Sequence, residues 1–303
     1  MGTGIASILL KRLPFQFSGL GIIADCIFVL NVALFAIFMG MSIARYAIWP
    51  QVFKAMIMHS QQSLFLGTLP MGLATIISMI VYVCVPVWGT AWVYLAWTLW
   101  WIDVVISLLT CYGLPFILFV YHRQLMEEMT AIWLLPVVAP IVASSTGSVL
   151  ATVLPKNHAS LTIVVSYIIL GSGFSIAMLI LGIYLHRLSL HNIPESQIIV
   201  SVFLPLGPMG QGAYAIMQLA ADVRQLALEG SLDDIIGPES NLLSSSARSL
   251  AMADGLYGTS IAIALFIWGF GLFWLAVASL SILKTRKFPF NMGWWGFTFP
   301  LVS

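Results

Sequence analysis

The feature that most restricts this chain is the length of its sparsely charged apolar runs. Seven of them, at about 19–48, 61–85, 90–122, 131–154, 159–188, 197–226 and 250–283, each exceed 20 residues. The hydrocarbon of a bilayer is about 30 Å thick, and a helix rising about 1.5 Å per residue crosses it in about 20 residues. Composition points the same way. Hydrophobic residues make up 60% of the 303 residues and charged ones 8%, against about 45–50% and about 25% in a soluble domain. A soluble core of that size would lack the polar surface to cover it. The expected fold class is therefore an all-α membrane protein, with one transmembrane domain over residues 1–303.

Several other classes are excluded. A net charge of +1 and the lack of a basic stripe interleaved with aromatics leave nothing for a nucleic-acid partner. Cys26, Cys84 and Cys111 sit inside apolar runs without metal or disulfide spacing and read as small buried hydrophobes. The start, Met1-Gly2-Thr3-Gly4-Ile5-Ala6, has neither the basic segment of a signal peptide nor the hydroxyl residue that myristoylation needs. Its apolar run stops at Lys11-Arg12, too short to span, and a second stub runs from near Asn291 to Ser303. Seven complete spans and two partial ones are expected, the first being re-entrant or cut short.

Orientation follows the Lys/Arg bias. With a cytoplasmic start, the inner connections hold Arg45, Lys54, Arg123, Arg187, Lys284, Arg286 and Lys287, and the outer ones Lys11, Arg12, Lys156, Arg224 and Arg248. That is seven against five. Arg224 and Arg248 flank the longest loop, whose Asp222, Glu229, Asp233, Asp234, Glu239 and Gly237-Pro238 read as extracellular.

The prolines are patterned. Counting the N-terminal stub as the first helix, Pro70, the pair Pro136 and Pro140, the pair Pro205 and Pro208, and Pro300 all fall in odd-numbered helices. Even helices are nearly free of interior proline, Pro115 excepted. The intervals from Pro70 to Pro136 and from Pro136 to Pro205 are 66 and 69 residues, and the next, to Pro300, is 95, lengthened by the acidic loop. A two-helix repeat with one insertion accounts for this. Proline removes an amide donor and frees a carbonyl that hydrocarbon will not satisfy. Interrupted odd helices thus belong inside, around a polar conduit, wrapped by the even ones. Nearby glycines, among them Gly67 and Gly207, permit close backbone approach. Simple helix packing by small residues remains the alternative for any one cluster.

Chemistry-bearing groups are few. His59, His122, His158, His186 and His191 lie at helix ends or in connections, and Ser144, Ser145 and Thr146 have no histidine nearby. An enzyme is disfavoured and no cofactor or metal is expected. Asp25 is near a helix end, and Asp103 is central, where a carboxylate marks either a tether to a neighbouring helix or a functional group. The odd helices offer almost no acidic lining for a cation. Thr68, Thr146, Gln211 and amides at helix breaks instead suit an anion held without a fixed charge.

The motifs at these positions carry a resemblance. Met1-Gly-Thr-Gly-Ile, Gln62-Ser-Leu-Phe-Leu-Gly-Thr-Leu-Pro-Met-Gly, Leu134-Leu-Pro-Val-Val-Ala-Pro-Ile-Val-Ala-Ser, Leu206-Gly-Pro-Met-Gly-Gln-Gly and Phe290-Asn-Met-Gly-Trp-Trp-Gly-Phe-Thr-Phe-Pro span the chain. Together they resemble the tellurite-resistance/dicarboxylate transporter family, which includes slow anion channels, and within it the fungal sulfite efflux pumps. The resemblance implies ten helices as five hairpins, a central pore formed by the odd-numbered helices, and homotrimers. Against that pattern this chain would be truncated at both ends. A gating aromatic in the ninth helix is also implied, placed at Phe299 with Phe297 as second candidate. Lipid contact or core packing of Phe299 is the alternative.

The expected function is sulfite or bisulfite export across the plasma membrane by a multi-pass anion conduit. The expected pathway residues are Gly67, Thr68, Pro70, Pro136, Pro140, Thr146, Pro205, Gly207, Pro208 and Gln211. Export of malate, nitrate or chloride is the alternative. A seven-helix receptor fits the span count but not the proline repeat.

Overall fold

The computed structural model describes residues 1–122, 125–229, 245–285, 288–290 and 292–301. Every expected span folds as a helix. After α1 (Gly2–Arg12) come α2 (Leu20–Ile48), α3 (Ser63–Trp88), α4 (Thr90–Tyr121), α5 (Ala131–Ala151), α6 (Lys156–His191), α7 (Ile199–Leu228) and α8 (Ser245–Thr285). A short helix, Pro50–Ile57, follows α2, and a 3-10 segment, Met292–Phe297, follows α8. The protein is thus an all-α membrane protein with seven helices long and apolar enough to cross a bilayer among the described residues.

Inner and outer helices differ in two ways. The even helices α2, α4, α6 and α8 are uninterrupted α-helices of 29, 32, 36 and 41 residues. In contrast, α3, α5 and α7 each open with a 3-10 segment, at Ser63–Gly67, Ala131–Leu134 and Ile199–Phe203. Burial follows the same division. Over their most apolar stretches, 72%, 100% and 72% of α3, α5 and α7 are buried, against 17%, 33%, 33% and 28% of α2, α4, α6 and α8. The even helices turn large apolar side chains such as Ile22, Phe116, Ile168 and Phe266 outward, as a lipid-facing wall requires.

The proline positions refine the expected picture of mid-helix breaks. Pro70 is the third residue of the α-helical part of α3, Pro136 the second of α5, and Pro205 caps the α-helical part of α7, with Pro208 one turn inside its start. A first-turn amide has no intrahelical partner, so proline costs little there. These prolines therefore mark the change from 3-10 to α geometry at one equivalent level in three helices. Pro140 alone among them is interior. A second irregularity lies in α3, where the helix widens into a π turn at Ile80–Cys84 just before Pro86. Pro70, Pro136, Pro140, Pro205, Pro208 and Pro300 are buried, whereas Pro86, at the far end of α3, is exposed.

Close approach holds the inner helices to their neighbours. A Cβ on Gly4 of α1 would collide with Thr75 of α3, and the adjacent Thr3 hydroxyl donates to Asn31 Oδ1 of α2 at 2.6 Å. On α5, a Cβ on Gly147 would meet Ser166 Oγ of α6 and the Trp100 ring of α4. The Trp100 indole donates to the Ala143 carbonyl at 2.8 Å. An outer helix is thus tied to an inner one by a bond that excludes water.

Three expectations need correction or placement. Cys84 and Cys111 are buried, but Cys26 is exposed, because α2 turns that face outward. Asp103 was expected to tether a neighbour or to act; it is fully buried on α4, yet neither carboxylate oxygen has a hydrogen-bond partner among the described residues. Arg123, Asp233, Asp234, Gly237, Pro238, Glu239, Arg286, Lys287 and Asn291 lie outside the described residues, as does the side chain of Arg248.

Gly147→Ala should cost about 1–3 kcal/mol through overpacking. Gly171→Ala on α6, where nothing lies within 4 Å of the added carbon, should change stability by less than about 1 kcal/mol. Thermal unfolding of the two purified variants checks this; equal shifts would contradict the packing described.

Candidate functional site

Four helices, all odd-numbered, enclose a cavity of about 180 Å³. Its wall consists of Ile5, Ile8, Leu9 and Arg12 from α1, Thr75, Ser78 and Tyr82 from α3, Val142, Ser145, Thr146 and Val149 from α5, and Gln211 and Tyr214 from α7. Steps of three, four and seven residues place each set on one helix face. The stripes on α1, α3 and α5 each cover eight residues, about 10 Å of helix. No even helix reaches the wall.

The lining combines hydroxyls, an amide, phenols and aliphatic carbons. Ser78 Oγ donates to the Ala74 carbonyl at 3.1 Å and lies 3.5 Å from Thr146 Oγ1. The single Ser145 hydroxyl proton is shared between Gln211 Oε1 at 3.0 Å and the Val142 carbonyl at 2.8 Å. With its oxygen turned to Ser145, Gln211 keeps its two N–H donors for a ligand. Tyr82 and Tyr214 both line the cavity, and the Arg12 guanidinium carbon lies 5.2 Å from the centre of the Tyr82 ring. Among the described residues no carboxylate lines the cavity, and Arg12 is the one charged residue that does.

Of the expected pathway residues, Thr146 and Gln211 stand in the wall. The others lie at or near the 3-10 to α junctions. Pro70, Pro136 and Pro205 precede the wall residues Thr75, Val142 and Gln211 by 5, 6 and 6 positions. Gly67 is pressed against the backbone of Leu135 and Pro136, and the Thr68 hydroxyl is taken by the Phe65 carbonyl at 2.7 Å. Pro140 faces Gly173 of α6. Pro208 is buried in the first turn of the α-helical part of α7. Gly207 lies under the ring of Phe299, whose edge is 3.7 Å from where a Cβ would stand.

Phe299 is 3% exposed and belongs to the main apolar core. Its neighbour Thr298 abuts Gly2 at the start of α1. The second candidate, Phe297, meets Phe203 instead, with ring centres 4.9 Å apart. The C-terminal segment therefore touches the starts of both α1 and α7. Gly207 precedes Gln211 by four residues, so Phe299 lies about one helical turn below the Gln211 level of the cavity.

Sequence reasoning did not single out Ser78, Tyr82, Val142, Val149 or Tyr214, although the 75/78/82 and 142/145/149 spacings are readable. Arg12 was assigned to an outer connection, and α1, too short to span, concealed its approach to the cavity. Its neighbour Lys11 is instead neutralised by Asp25 at 2.9 Å.

Comparison with known proteins gives a consistent set of relatives. Residues 1–303 match the family described as SLAC1, voltage-dependent anion channel. The protein named sulfite efflux pump SSU1 of Arthroderma otae is 47% identical over 302 residues, covering 99% of this chain and 76% of the relative. Its namesake from Trichophyton rubrum is 46% identical with the same coverage. A malic acid transport protein of Schizosaccharomyces pombe is 24% identical over 308 residues, covering 100% of this chain and 66% of the relative.

In a variant whose three native cysteines are replaced by alanine, a cysteine at Ser78 or Thr146 should react with a small water-borne maleimide. A cysteine at Ala143, which is buried in the apolar cluster with Trp100 and does not line the cavity, should not. Mass spectrometry after timed labelling reads the difference; equal labelling at all three positions would mean the cavity is not the wet face.

Proposed function

The chain belongs to the SLAC1 voltage-dependent anion channel family, and from that premise we propose that it exports sulfite or bisulfite through the cavity between α1, α3, α5 and α7. Membership makes it a multi-pass membrane transport protein and not an enzyme. The observation that carries the sulfite reading is the make-up of the cavity wall: donors from hydroxyls and an amide, one arginine, and no carboxylate. A passing cation would find no acidic group there. An anion would find donors of modest strength, which let it enter and also leave.

Direction comes from the membrane potential. With the N-terminus in the cytoplasm, an inside-negative potential favours anion exit by about 2.3 kcal/mol per charge per 100 mV. The α-helical parts of α3, α5 and α7 then begin on the cytoplasmic side of the cavity. Their dipoles favour an anion at that end. Phe299 lies about one turn further toward the cytoplasm, over Gly207, where an apolar ring blocks a hydrated ion by occlusion and dewetting. The reading makes Phe299 the gate. It also places a homotrimer in the plasma membrane, the assembly and location that the motif resemblance implies. The malate transporter among the relatives supports a second reading, in which a dicarboxylate is the cargo.

Proteoliposomes loaded with sulfite, malate, nitrate or chloride discriminate these readings. Sulfite efflux that exceeds malate efflux severalfold is expected, and malate efflux without sulfite efflux would favour the second reading. Phe299→Ala should raise anion current severalfold; an unchanged current would remove Phe299 from the gate.

A further inference from the structure

We infer that Arg12, Tyr82 and Tyr214 form an oxyanion-binding station at the far end of the cavity, one that favours an anion with several oxygens over a halide. The inference rests on the transport reading above and assigns its selectivity to particular groups.

Arg12 is available in a way its neighbour is not. Lys11 is held by Asp25 at 2.9 Å, whereas Arg12 has no carboxylate at ion-pair distance among the described residues. The turn that follows it is fixed, because the Gln16 side-chain amide donates to the carbonyls of Leu10, Lys11 and Leu13 at 3.2, 3.3 and 2.9 Å. The guanidinium lies over the Tyr82 ring at 5.2 Å. Contact with the ring face positions the cation while leaving its N–H edges free. Those edges form a rigid fork that matches two oxygens of one anion.

The phenols add a donor. Tyr82 and Tyr214 both line the cavity, and each phenol carries one O–H that can donate to an anion. Tyr82 sits within the π turn Ile80–Cys84, a local widening of the kind that re-aims side chains at functional positions. Gln211 lies one turn before Tyr214 on the same wall. A three-oxygen anion can therefore take the guanidinium fork, a phenol and an amide together. A halide has one atom and cannot satisfy a fork and separate donors at their different positions. The cavity, at about 180 Å³, exceeds the roughly 30 Å³ share of a single water several times, so the anion arrives with part of its hydration. Arg12 stands at an exposed mouth, where solvent weakens its hold enough to allow release.

The test uses the whole protein in proteoliposomes, with sulfite and chloride efflux measured over a range of internal concentrations for wild type, Arg12→Gln, Arg12→Lys and Tyr82→Phe. Arg12→Gln should raise the half-saturating sulfite concentration about tenfold, the loss expected of a charge-assisted contact, and change chloride efflux less than twofold. Arg12→Lys, which keeps the charge without the fork, should remain several-fold worse than wild type for sulfite. Tyr82→Phe keeps the ring beneath the guanidinium and should raise the sulfite value about threefold, so it tests the station even where an Arg12 variant does not fold. Sulfite values unchanged in the variants that fold, or equal losses for sulfite and chloride, would overturn the station. A wild type that passes no sulfite would instead overturn the transport reading itself.

Discussion

Hydrocarbon offers no hydrogen-bond partner, so a backbone within it must satisfy itself or turn its unsatisfied groups toward protein or water. That constraint arranges this molecule. All the described 3-10 and π geometry within the spans occurs in α3 and in the first turns of α5 and α7, and the lipid-facing helices are uninterrupted α-helix. Irregular backbone and burial go together. Once the irregular helices are forced inward, their paired starts and the stripes that follow enclose a polar space without any charged residue being needed to shape it.

The resulting space is mild in its chemistry. Ser78, Ser145 and Thr146 each satisfy a helix carbonyl or one another, and Ser145 fixes the orientation of Gln211. A hydroxyl already engaged as a donor still accepts, and an amide whose oxygen is engaged still donates. Such a wall interacts with an anion through dipoles, each a fraction of a full charge. The aliphatic residues Ile5, Ile8, Val142 and Val149 dilute those dipoles further. This balance distinguishes a conduit from a binding protein, since tight coordination would hold the ion in place.

Much of this was legible in the sequence. Apolar run length located all seven spans, because each run is long and, Asp103 apart, carries charge only toward its ends. The proline register separated inner from outer helices, because proline is tolerated only where freed backbone groups avoid lipid. Other features were not legible. Pro70, Pro136 and Pro205 look like kinks in one dimension, but the 3-10 turns before them make them first-turn residues. Cys26 is apolar in context like Cys84, and only the packing of α2 shows which face meets lipid. Arg12 follows a stub too short to span, so hydropathy placed it outside, whereas the docking of Gly4 against Thr75 brings it to the cavity. Asp103 was readable as an exception, but its lack of a partner depends on the packing of α4.

The central claim is that ions pass between the odd helices and not around them. Thr146→Trp would fill the wall at mid-cavity, while Ile168→Trp adds the same bulk to the outward face of α6, where the native side chain is 65% exposed. Sulfite flux through these two variants, each confirmed as folded, is the most direct measurement. The account predicts flux abolished by the first and retained by the second. Full flux through a folded Thr146→Trp protein would contradict it.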